Sequence, residues 1–162
     1  MTIKVGDQLP EATFTVMGAE GPQQVSTADF FGGKKIALFA VPGAYTPTCH
    51  KQHMPGFVAN SDEFKNKGID AIACTSVNDV FVLTQWAKDS GAEGKITMLA
   101  DGSADFAKKL GLEIDLTARG LGVRSKRYSM VVDNGVVSVL NVEDAPPQHD
   151  KSSAATLLTC KL

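Results

Sequence analysis

Cysteine is scarce in this chain, and it has neither a long hydrophobic run nor an excess of one charge. Three cysteines are an odd number and too few for a disulfide scaffold, which favours a reducing compartment and predicts a cytoplasmic location. No apolar run approaches the ~20 residues that a membrane-spanning helix needs. A net charge of −2 leaves no general electrostatic reason to bind nucleic acid or an anionic membrane.

Targeting and metal-binding patterns are absent as well. The first residues, 1–7, have neither an apolar signal core nor an arginine-rich amphipathic pattern, so we expect no targeting segment. There is no C-x-x-C pair, and His50, His53 and His149 are the only histidines. A structural zinc site usually takes four ligands. We therefore expect neither a metal nor another cofactor.

The 162 residues fit one domain, 1–162, because no repeat or linker divides them. Hydrophobic periodicity, turn residues and caps predict an order of strand, helix, strand, helix, strand, helix, hairpin and helix after a short N-terminal strand pair. The predicted strands are 11–16, 23–25, Lys35–Val41, Ile69–Thr75, Lys95–Ala100, Tyr128–Val132 and Val136–Val142. The early strand–helix–strand units imply parallel pairing, and the hairpin adds antiparallel strands. This α/β pattern, a mixed central sheet flanked by helices, is typical of a thioredoxin-like fold.

The predicted helices have recognisable ends. The first runs from about Pro47 to Lys67, is kinked or broken near Pro55-Gly56 and stops at Gly68. The others are a helix capped by Asn78 that runs to about Asp89 with Val80, Phe81, Leu83, Trp86 and Ala87 as apolar positions, a short helix from Ser103 to Gly111, and a last helix capped by Ser152 or Ser153 that runs to about Lys161.

The most informative segment is Pro42-Gly43-Ala44-Tyr45-Thr46-Pro47-Thr48-Cys49, between a predicted buried strand and a predicted helix. It places Cys49 in the first turn of the helix, three residues after the Thr46 hydroxyl. Unpaired N–H groups and aligned peptide dipoles at a helix N-terminus favour negative charge. A thiol in that position is more readily ionised, and the thiolate is the reactive form. The segment therefore predicts a reactive sulfur.

These residues resemble the Pro-x-x-x-Thr-x-x-Cys signature of the peroxiredoxins, here Pro42, Thr46 and Cys49. Further matches resemble the type II branch of that family, and together they cover residues 3 to 143 in consistent order. They are Val41–Cys49, His53-Met54-Pro55-Gly56-Phe57, Cys74-Thr75-Ser76-Val77-Asn78-Asp79, Leu99-Ala100-Asp101 and Arg127-Tyr128-Ser129-Met130-Val131-Val132. The resemblance implies a thiol peroxidase that reduces hydrogen peroxide and organic hydroperoxides.

The resemblance also implies a role for each matching residue. Cys49 would attack the peroxide and become a sulfenic acid. Thr46 would hydrogen-bond and orient the peroxide, Arg127 would stabilise the thiolate and hold the oxygens, and Pro42 would shield the sulfur from water. Three structural alternatives stay open: Cys49 as an inert buried thiol, Thr46 as a helix cap only, and Arg127 as a solvated charge at a strand edge.

His53 lies four residues after Cys49, on the same face of a continuing helix. It could be a residue that supports the thiolate site, a packing histidine or half of a metal site. Tyr45 and His50 stand where phenylalanine and serine are common in the branch. Tyr45 keeps the aromatic packing beside the site and adds a hydroxyl that needs a partner.

Turnover needs a second thiol, and two cysteines of the chain are candidates. Cys74 matches a cysteine common in type II members, but within an apolar strand it also fits a buried core thiol. Cys160 belongs to the predicted last helix, whereas animal relatives carry their resolving cysteine in the preceding loop, here Glu143–Asp150. We therefore expect Cys49 to be regenerated by an outside thiol, either glutaredoxin with glutathione or thioredoxin.

Two other functions remain as alternatives to the peroxidase. One is a non-catalytic redox sensor or binding module that is switched by oxidation of Cys49. The other is a disulfide oxidoreductase of the same general fold, which the absence of a C-x-x-C motif argues against. Because the type II branch forms homodimers through surfaces near the active site, the resemblance also implies a homodimer.

Overall fold

The computed structural model describes residues 1–162 and is built around one seven-stranded mixed sheet. The strands are β1 (Thr13–Gly18), β2 (Gly21–Ser26), β3 (Lys35–Val41), β4 (Ala71–Ser76), β5 (Thr97–Ala100), β6 (Glu113–Asp115), β7 (Val123–Ser125), β8 (Tyr128–Asp133) and β9 (Val136–Val142). The α-helices are α1 (Thr27–Phe31), α2 (Met54–Ala59), α3 (Ser61–Asn66), α4 (Val80–Asp89), α5 (Asp105–Leu110) and α6 (Ala154–Thr159). A π-helical turn, Cys49–His53, precedes α2, and a 3-10 turn, Thr117–Arg119, separates β6 from β7.

The strand order in the sheet is β2-β1-β5-β4-β3-β8-β9. The three central strands β3, β4 and β5 are parallel, and the other pairs are antiparallel. β6 and β7 form a separate two-stranded hairpin. The mixed α/β sheet predicted from the sequence is therefore confirmed, and the carboxyl ends of the parallel strands meet at one edge, where ligands bind in such sheets.

The core lies on both faces of the sheet, and β3 shows why its sequence is a continuous apolar run. Alternate residues of a strand point to opposite faces. Ala37, Phe39 and Val41 belong to a cluster of 21 buried residues that includes side chains from α2, α4 and α6. The intervening residues of β3 belong to a second cluster of 16, with side chains from α1 and α5. A strand covered on both faces favours apolar side chains at every position, and in β3 only the first residue, Lys35, is polar.

The helix after β3 differs from its prediction in where it breaks. Pro47 and Thr48 are already helical, and the π turn follows them. The helix is interrupted at Asn60 rather than near Pro55-Gly56. Pro55 has no N–H to donate, yet it does not break the helix, because the widened turn before it carries a hydrogen bond from the Met54 N–H to the Cys49 carbonyl. Gly68 ends the segment with a φ of +90°, as predicted.

The predicted cap of α4 is wrong by one residue. Asp79 is the cap, because its carboxylate accepts a hydrogen bond from the Val82 N–H at 2.9 Å. The Asn78 side chain instead accepts from the Ala44 N–H at 3.0 Å and from the Ser76 hydroxyl at 2.6 Å. Phe81, which was predicted to face the core, is 65% exposed.

Other element ends vary in how well the sequence predicted them. α5 begins at Asp105 rather than Ser103, because the Asp101 carboxylate accepts from two N–H groups of its first turn. The hairpin turn at Asn134-Gly135 is confirmed by positive φ at both residues, and Ser153 caps α6. The short elements α1, β6 and β7 were not predicted. None of the helices has both the length and the apolar character needed to cross a membrane.

Candidate active site

The loop between β3 and the π turn is held by contacts with two distant segments. The Pro42 carbonyl accepts a hydrogen bond from Arg124 Nη1 at 3.2 Å. A Cβ at Gly43 would lie only 2.8 Å from the same nitrogen, so a larger residue here would displace the end of the Arg124 side chain. On the other side, the Ala44 N–H is bound by Asn78 at 3.0 Å. The loop thus delivers Cys49 to the start of a helix at the carboxyl end of β3, where its side chain is fully buried.

Thr46 and Cys49 meet as the sequence predicted. Thr46 Oγ1 lies 2.9 Å from the Cys49 Sγ and 2.7 Å from the Gly43 carbonyl. The hydroxyl has one proton and can donate to only one of these acceptors at a time. A third acceptor brought beside the sulfur can therefore compete for the same proton.

Arg127 reaches the same sulfur from the segment before β8. Its side chain is 2% exposed, and each guanidinium nitrogen has a partner. Nη2 donates to the Cys49 Sγ at 3.0 Å, and Nε donates to the Pro146 carbonyl at 3.1 Å. Nη1 lies 3.0 Å from His53 Nδ1. A buried, permanently charged group that is fixed at three points is aimed at the sulfur and cannot turn to solvent.

His53 supports the arginine, and its partners determine where its proton lies. Nε2 lies 2.9 Å from the Ser152 carbonyl, which can only accept, so this nitrogen carries the hydrogen. Nδ1 is then the acceptor for Arg127. Burial, followed by the charge of Arg127, holds the pKa of His53 well below its usual value of 6.5. His53 is therefore a neutral hydrogen-bond acceptor for the guanidinium, because a second ring proton would oppose the Arg127 N–H.

We expect the free energy of unfolding to fall as the pH is lowered below about 6.5, because the unfolded chain then protonates His53 while the folded chain does not. This single buried group costs at most about 1.4 kcal/mol per pH unit until the folded form also takes up the proton. Urea unfolding across this pH range measures the slope, and His53→Gln should reduce it. A parent protein of constant stability, or an unchanged slope in the variant, would contradict the assignment.

A cavity of about 310 Å³ is lined by Thr46 and Arg127, the two hydrogen-bond partners of the Cys49 sulfur. A water molecule occupies about 30 Å³ in the liquid, so the cavity has room for a molecule much larger than hydrogen peroxide. Its walls combine two arginines and two threonines with apolar side chains: Pro42, Thr46, Pro47, Thr48, Leu116, Arg119, Leu121, Arg127, Pro146 and Pro147. No acidic residue lines it, which suits an oxidant that acquires negative charge as it reacts.

Comparison with known proteins shows the family to which the chain belongs. The Redoxin family model matches residues 4–158. The chain is 48% identical to the chloroplastic peroxiredoxin-2E of Arabidopsis thaliana over 88% of its own length, but it spans only 63% of that relative. It is 46% identical to peroxiredoxin-2D of the same plant, covering 96% of both chains. The chain belongs to the peroxiredoxin family.

A solved structure supports the same membership. The fold matches reduced Prx3 from Vibrio vulnificus, crystallised in complex with hydrogen peroxide, with a TM-score of 0.92 and 48% identity over 97% of this chain and 98% of that one. The predicted family and the thioredoxin-like fold class are thus confirmed. Peroxiredoxins are thiol peroxidases, so the enzyme class predicted from the sequence is that of the family.

Tyr45 and His50, which the sequence analysis of this peroxiredoxin singled out, do not take part in the contact between the sulfur and the guanidinium. The Tyr45 hydroxyl donates to Asp89 of α4 at 2.5 Å, and this hydrogen bond raises the pKa of Tyr45. Its ring packs beside those of His50 and Trp86, with centroids 5.6 and 6.4 Å away. His50 accepts from the Trp86 indole at 3.0 Å. These contacts tie the loop before Cys49 to α4.

The other two cysteines lie in different surroundings. Cys74, in β4, is fully buried in the same core cluster as Cys49, and burial raises its pKa well above the usual value. Cys160 ends α6, where its Sγ lies 3.5 Å from the Thr156 carbonyl and 3.8 Å from Asn141 Nδ2. All three thiols are free. No group of three or more histidine, cysteine or acidic side chains is arranged to hold a metal ion.

Sequence reasoning missed several residues that shape the site. Arg124 holds the Pro42 carbonyl, and the carbonyls of Pro146 and Ser152 hold Arg127 and His53. The dense basic run that contains Arg124 and Arg127 was a signal that could have drawn attention to Arg124. Every residue has a backbone carbonyl, whatever its side chain, so no sequence pattern pointed to Pro146 or Ser152.

Proposed function

We propose that this peroxiredoxin, acting as a single domain over residues 1–162, reduces hydrogen peroxide and organic hydroperoxides through a sulfenic acid on Cys49. The observation that carries the proposal is the position of the Cys49 sulfur, 2.9 Å from the Thr46 hydroxyl and 3.0 Å from the Arg127 guanidinium. The related Vibrio vulnificus protein was crystallised with hydrogen peroxide, which supports this substrate. The room in the cavity supports the larger organic hydroperoxides.

The proposed reaction is a two-electron oxidation of the sulfur. The Cys49 thiolate attacks the nearer peroxide oxygen, which keeps its hydrogen, and the O–O bond breaks. The farther oxygen leaves as hydroxide or alkoxide and takes up a proton from solvent to give water or an alcohol. Thr46 and Arg127 donate hydrogen bonds to the oxygens as negative charge develops on the leaving one, and such donors act in the transition state. The Pro42 ring excludes water from the sulfur. Cys49 is left as the sulfenic acid.

The role of Thr46 can be separated from simple helix capping. We expect Thr46→Val to lower kcat/KM for hydrogen peroxide about 10- to 100-fold, because the loss of one hydrogen-bond donor to a charged acceptor costs roughly 1.5–3 kcal/mol. Thr46→Ser keeps the hydroxyl and should stay within a few-fold of the parent. Steady-state peroxidase kinetics test this. If the serine and valine variants lose the same activity, the hydroxyl has no role in the reaction.

We further propose that an outside thiol returns Cys49 to the reduced state. The first thiol would form a mixed disulfide with Cys49 and release water, and a second would free Cys49 and leave as the oxidised disulfide. Cys74 suits this resolving role poorly, because attack needs a thiolate and burial raises its pKa. Cys160 lies at the end of α6, with its sulfur against Thr156 and Asn141.

One equivalent of peroxide should therefore leave Cys49 as sulfenic acid, with Cys74 and Cys160 still reduced. Mass spectrometry of dimedone-trapped peptides measures this product. A disulfide from Cys49 to Cys74 or Cys160, formed as fast as turnover, would contradict regeneration by an outside thiol.

Stopped-flow consumption of peroxide tests the function itself, and paired assays with glutaredoxin plus glutathione and with thioredoxin identify the reductant. We expect turnover with at least one of them. Oxidation of Cys49 without turnover by either system would instead favour the redox sensor or binding module.

We also propose a homodimer in the cytoplasm. Phe81 is 65% and Tyr45 44% exposed on the α4 side of the site, and apolar exposure of this kind suits a protein interface. Three free thiols fit a reducing compartment. Sedimentation of the reduced protein that shows only monomer would refute the dimer, and fractionation that places the native protein in an organelle would refute the location.

A further inference from the structure

A buried carboxylate that does not line the cavity belongs to the same network of hydrogen bonds as the Cys49 sulfur. Glu143 directly follows β9 and is 6% exposed. Its Oε2 accepts hydrogen bonds from the backbone N–H and from the hydroxyl of Ser152, both at 2.6 Å. Its own N–H donates to the Arg127 carbonyl at 3.0 Å. The Glu143–Ser152 contact closes residues 143–152 into a loop, which we call the strap.

The strap supplies two carbonyl acceptors that hold Arg127 in position, one directly and one through His53. The Pro146 carbonyl accepts from Arg127 Nε at 3.1 Å. The Ser152 carbonyl accepts from His53 Nε2 at 2.9 Å, which leaves His53 Nδ1 free to accept from Arg127 Nη1. Two of the three guanidinium nitrogens therefore have partners whose positions depend on the strap. The third nitrogen contacts the Cys49 sulfur.

We propose that Glu143 is a positioning residue for the reaction at Cys49. It acts through Ser152, His53 and Arg127 and touches neither the sulfur nor the substrate. Without the carboxylate, Ser152 loses the two hydrogen bonds that Glu143 accepts from it. The Pro146 carbonyl, which holds the guanidinium, and the Ser152 carbonyl, which holds His53, are then no longer fixed. Arg127 then keeps its charge, but its guanidinium is no longer held in position against the Cys49 sulfur. Small displacements of a donor in a preorganised site lower the reaction rate strongly. This inference rests on the proposed peroxidase function.

The strap also provides a matched control, because a second charged contact ties it together. Lys151 Nζ lies 2.8 Å from Asp144 Oδ2, but these side chains are 53% and 71% exposed. Exposed ion pairs contribute about 0–1 kcal/mol. Lys151→Met therefore removes another contact to a carboxylate of the strap, an exposed ion pair of 2.8 Å, without disturbing the carbonyls of Pro146 and Ser152.

The experiment compares Glu143→Ala, Glu143→Gln, Ser152→Ala and Lys151→Met with the parent protein. Three quantities are measured: kcat/KM for hydrogen peroxide, the urea midpoint, and the pH at which iodoacetamide alkylation of Cys49 is half-maximal. Peptide mass spectrometry separates Cys49 from the other cysteines. The alkylation profile reports the contact between Arg127 and the sulfur, which a purely structural role of Glu143 would not change in a folded variant.

We expect Glu143→Ala to lower kcat/KM about 10- to 100-fold and to move the alkylation midpoint to higher pH. Glu143→Gln, which keeps an acceptor oxygen, should recover part of both effects, and Lys151→Met should match the parent. An alkylation profile of Glu143→Ala that overlies the parent's, with any loss of activity explained by the unfolded fraction, would overturn the proposal.

Ser152→Ala provides the answer if Glu143→Ala does not fold. It removes only the hydroxyl contact and keeps the backbone N–H, so we expect a smaller shift of the alkylation midpoint in the same direction. A folded Ser152→Ala protein with the parent's profile would count against the proposal. If the parent itself lacked peroxidase activity, the proposed function would fail, whereas the alkylation profiles would still decide whether Glu143 positions Arg127.

Discussion

Cys49→Ser should lose peroxidase activity almost completely, with kcat/KM for hydrogen peroxide falling about 10⁴-fold or more, as expected when a nucleophile is removed. A serine hydroxyl is not ionised at neutral pH and does not form the sulfenic acid on which turnover depends. The substitution changes one atom in a fully buried side chain, so the contacts of Thr46 and Arg127 should remain. Stopped-flow peroxide consumption with excess reductant measures the loss.

The other cysteines serve as controls for this result. Cys160→Ser and Cys74→Ala should each keep activity within a few-fold of the parent, because neither thiol is needed for attack or for regeneration in the proposed cycle. A Cys49→Ser protein that still consumes peroxide at the parent rate would refute the function in its stated form. A large loss in Cys74→Ala with full stability would instead assign Cys74 to the catalytic cycle.

Arg127→Met should have the second-largest effect, lowering kcat/KM about 10²- to 10³-fold, the loss typical of a preorganised donor removed from a developing charge. Arg127→Lys should lose nearly as much. The lysine ammonium is a single compact charge, whereas the arginine binds Cys49, His53 and Pro146 at the same time. The charge alone is therefore not sufficient, and steady-state kinetics of both variants show this.

Stability must be measured alongside, because Arg127 is 2% exposed and its removal leaves His53 Nδ1 and the Pro146 carbonyl without donors. Each unsatisfied buried group costs roughly 1–3 kcal/mol. Urea unfolding separates this loss from the catalytic one, and Lys126→Gln, at the neighbouring residue, serves as the control. Activity of Arg127→Met within threefold of the parent, in folded protein, would remove Arg127 from the mechanism.

Local chemistry is strong enough to predict many elements from the sequence. The uninterrupted apolar run of residues 36–41 forms a strand covered on both faces, as such runs do in parallel sheets. Asn134-Gly135 forms a hairpin turn, since both residues tolerate positive φ. The segment from Pro42 to Cys49 places a thiol at a helix start beside a hydroxyl, and the distance from Thr46 to Cys49 agrees with that prediction.

The incorrect predictions have separate physical causes. Asn78 and Asp79 are both good caps, and Asp79 takes the cap because Asn78 is engaged by Ala44 of another loop. Phe81 has the spacing of a core residue but lies on the outward side of α4. The break predicted near Pro55-Gly56 is replaced by a π turn that ends at His53, two residues before the proline. This turn accommodates the proline, and Cys49 and His53 are both buried in it.

The sequence alone determined the position of the Cys49 sulfur at a helix start and the hydroxyl beside it, because these depend on contacts within a few residues of the chain. The more distant groups around that sulfur were decided by the tertiary structure, and of these the family resemblance had named Arg127. Arg127 reaches Cys49 across 78 residues of sequence, and the Ser152 carbonyl reaches His53 across 99. Such contacts exist only once β8 lies beside β3 in the sheet and the strap contacts His53 at the end of the π turn. The local periodicity of the sequence carries no information about either arrangement.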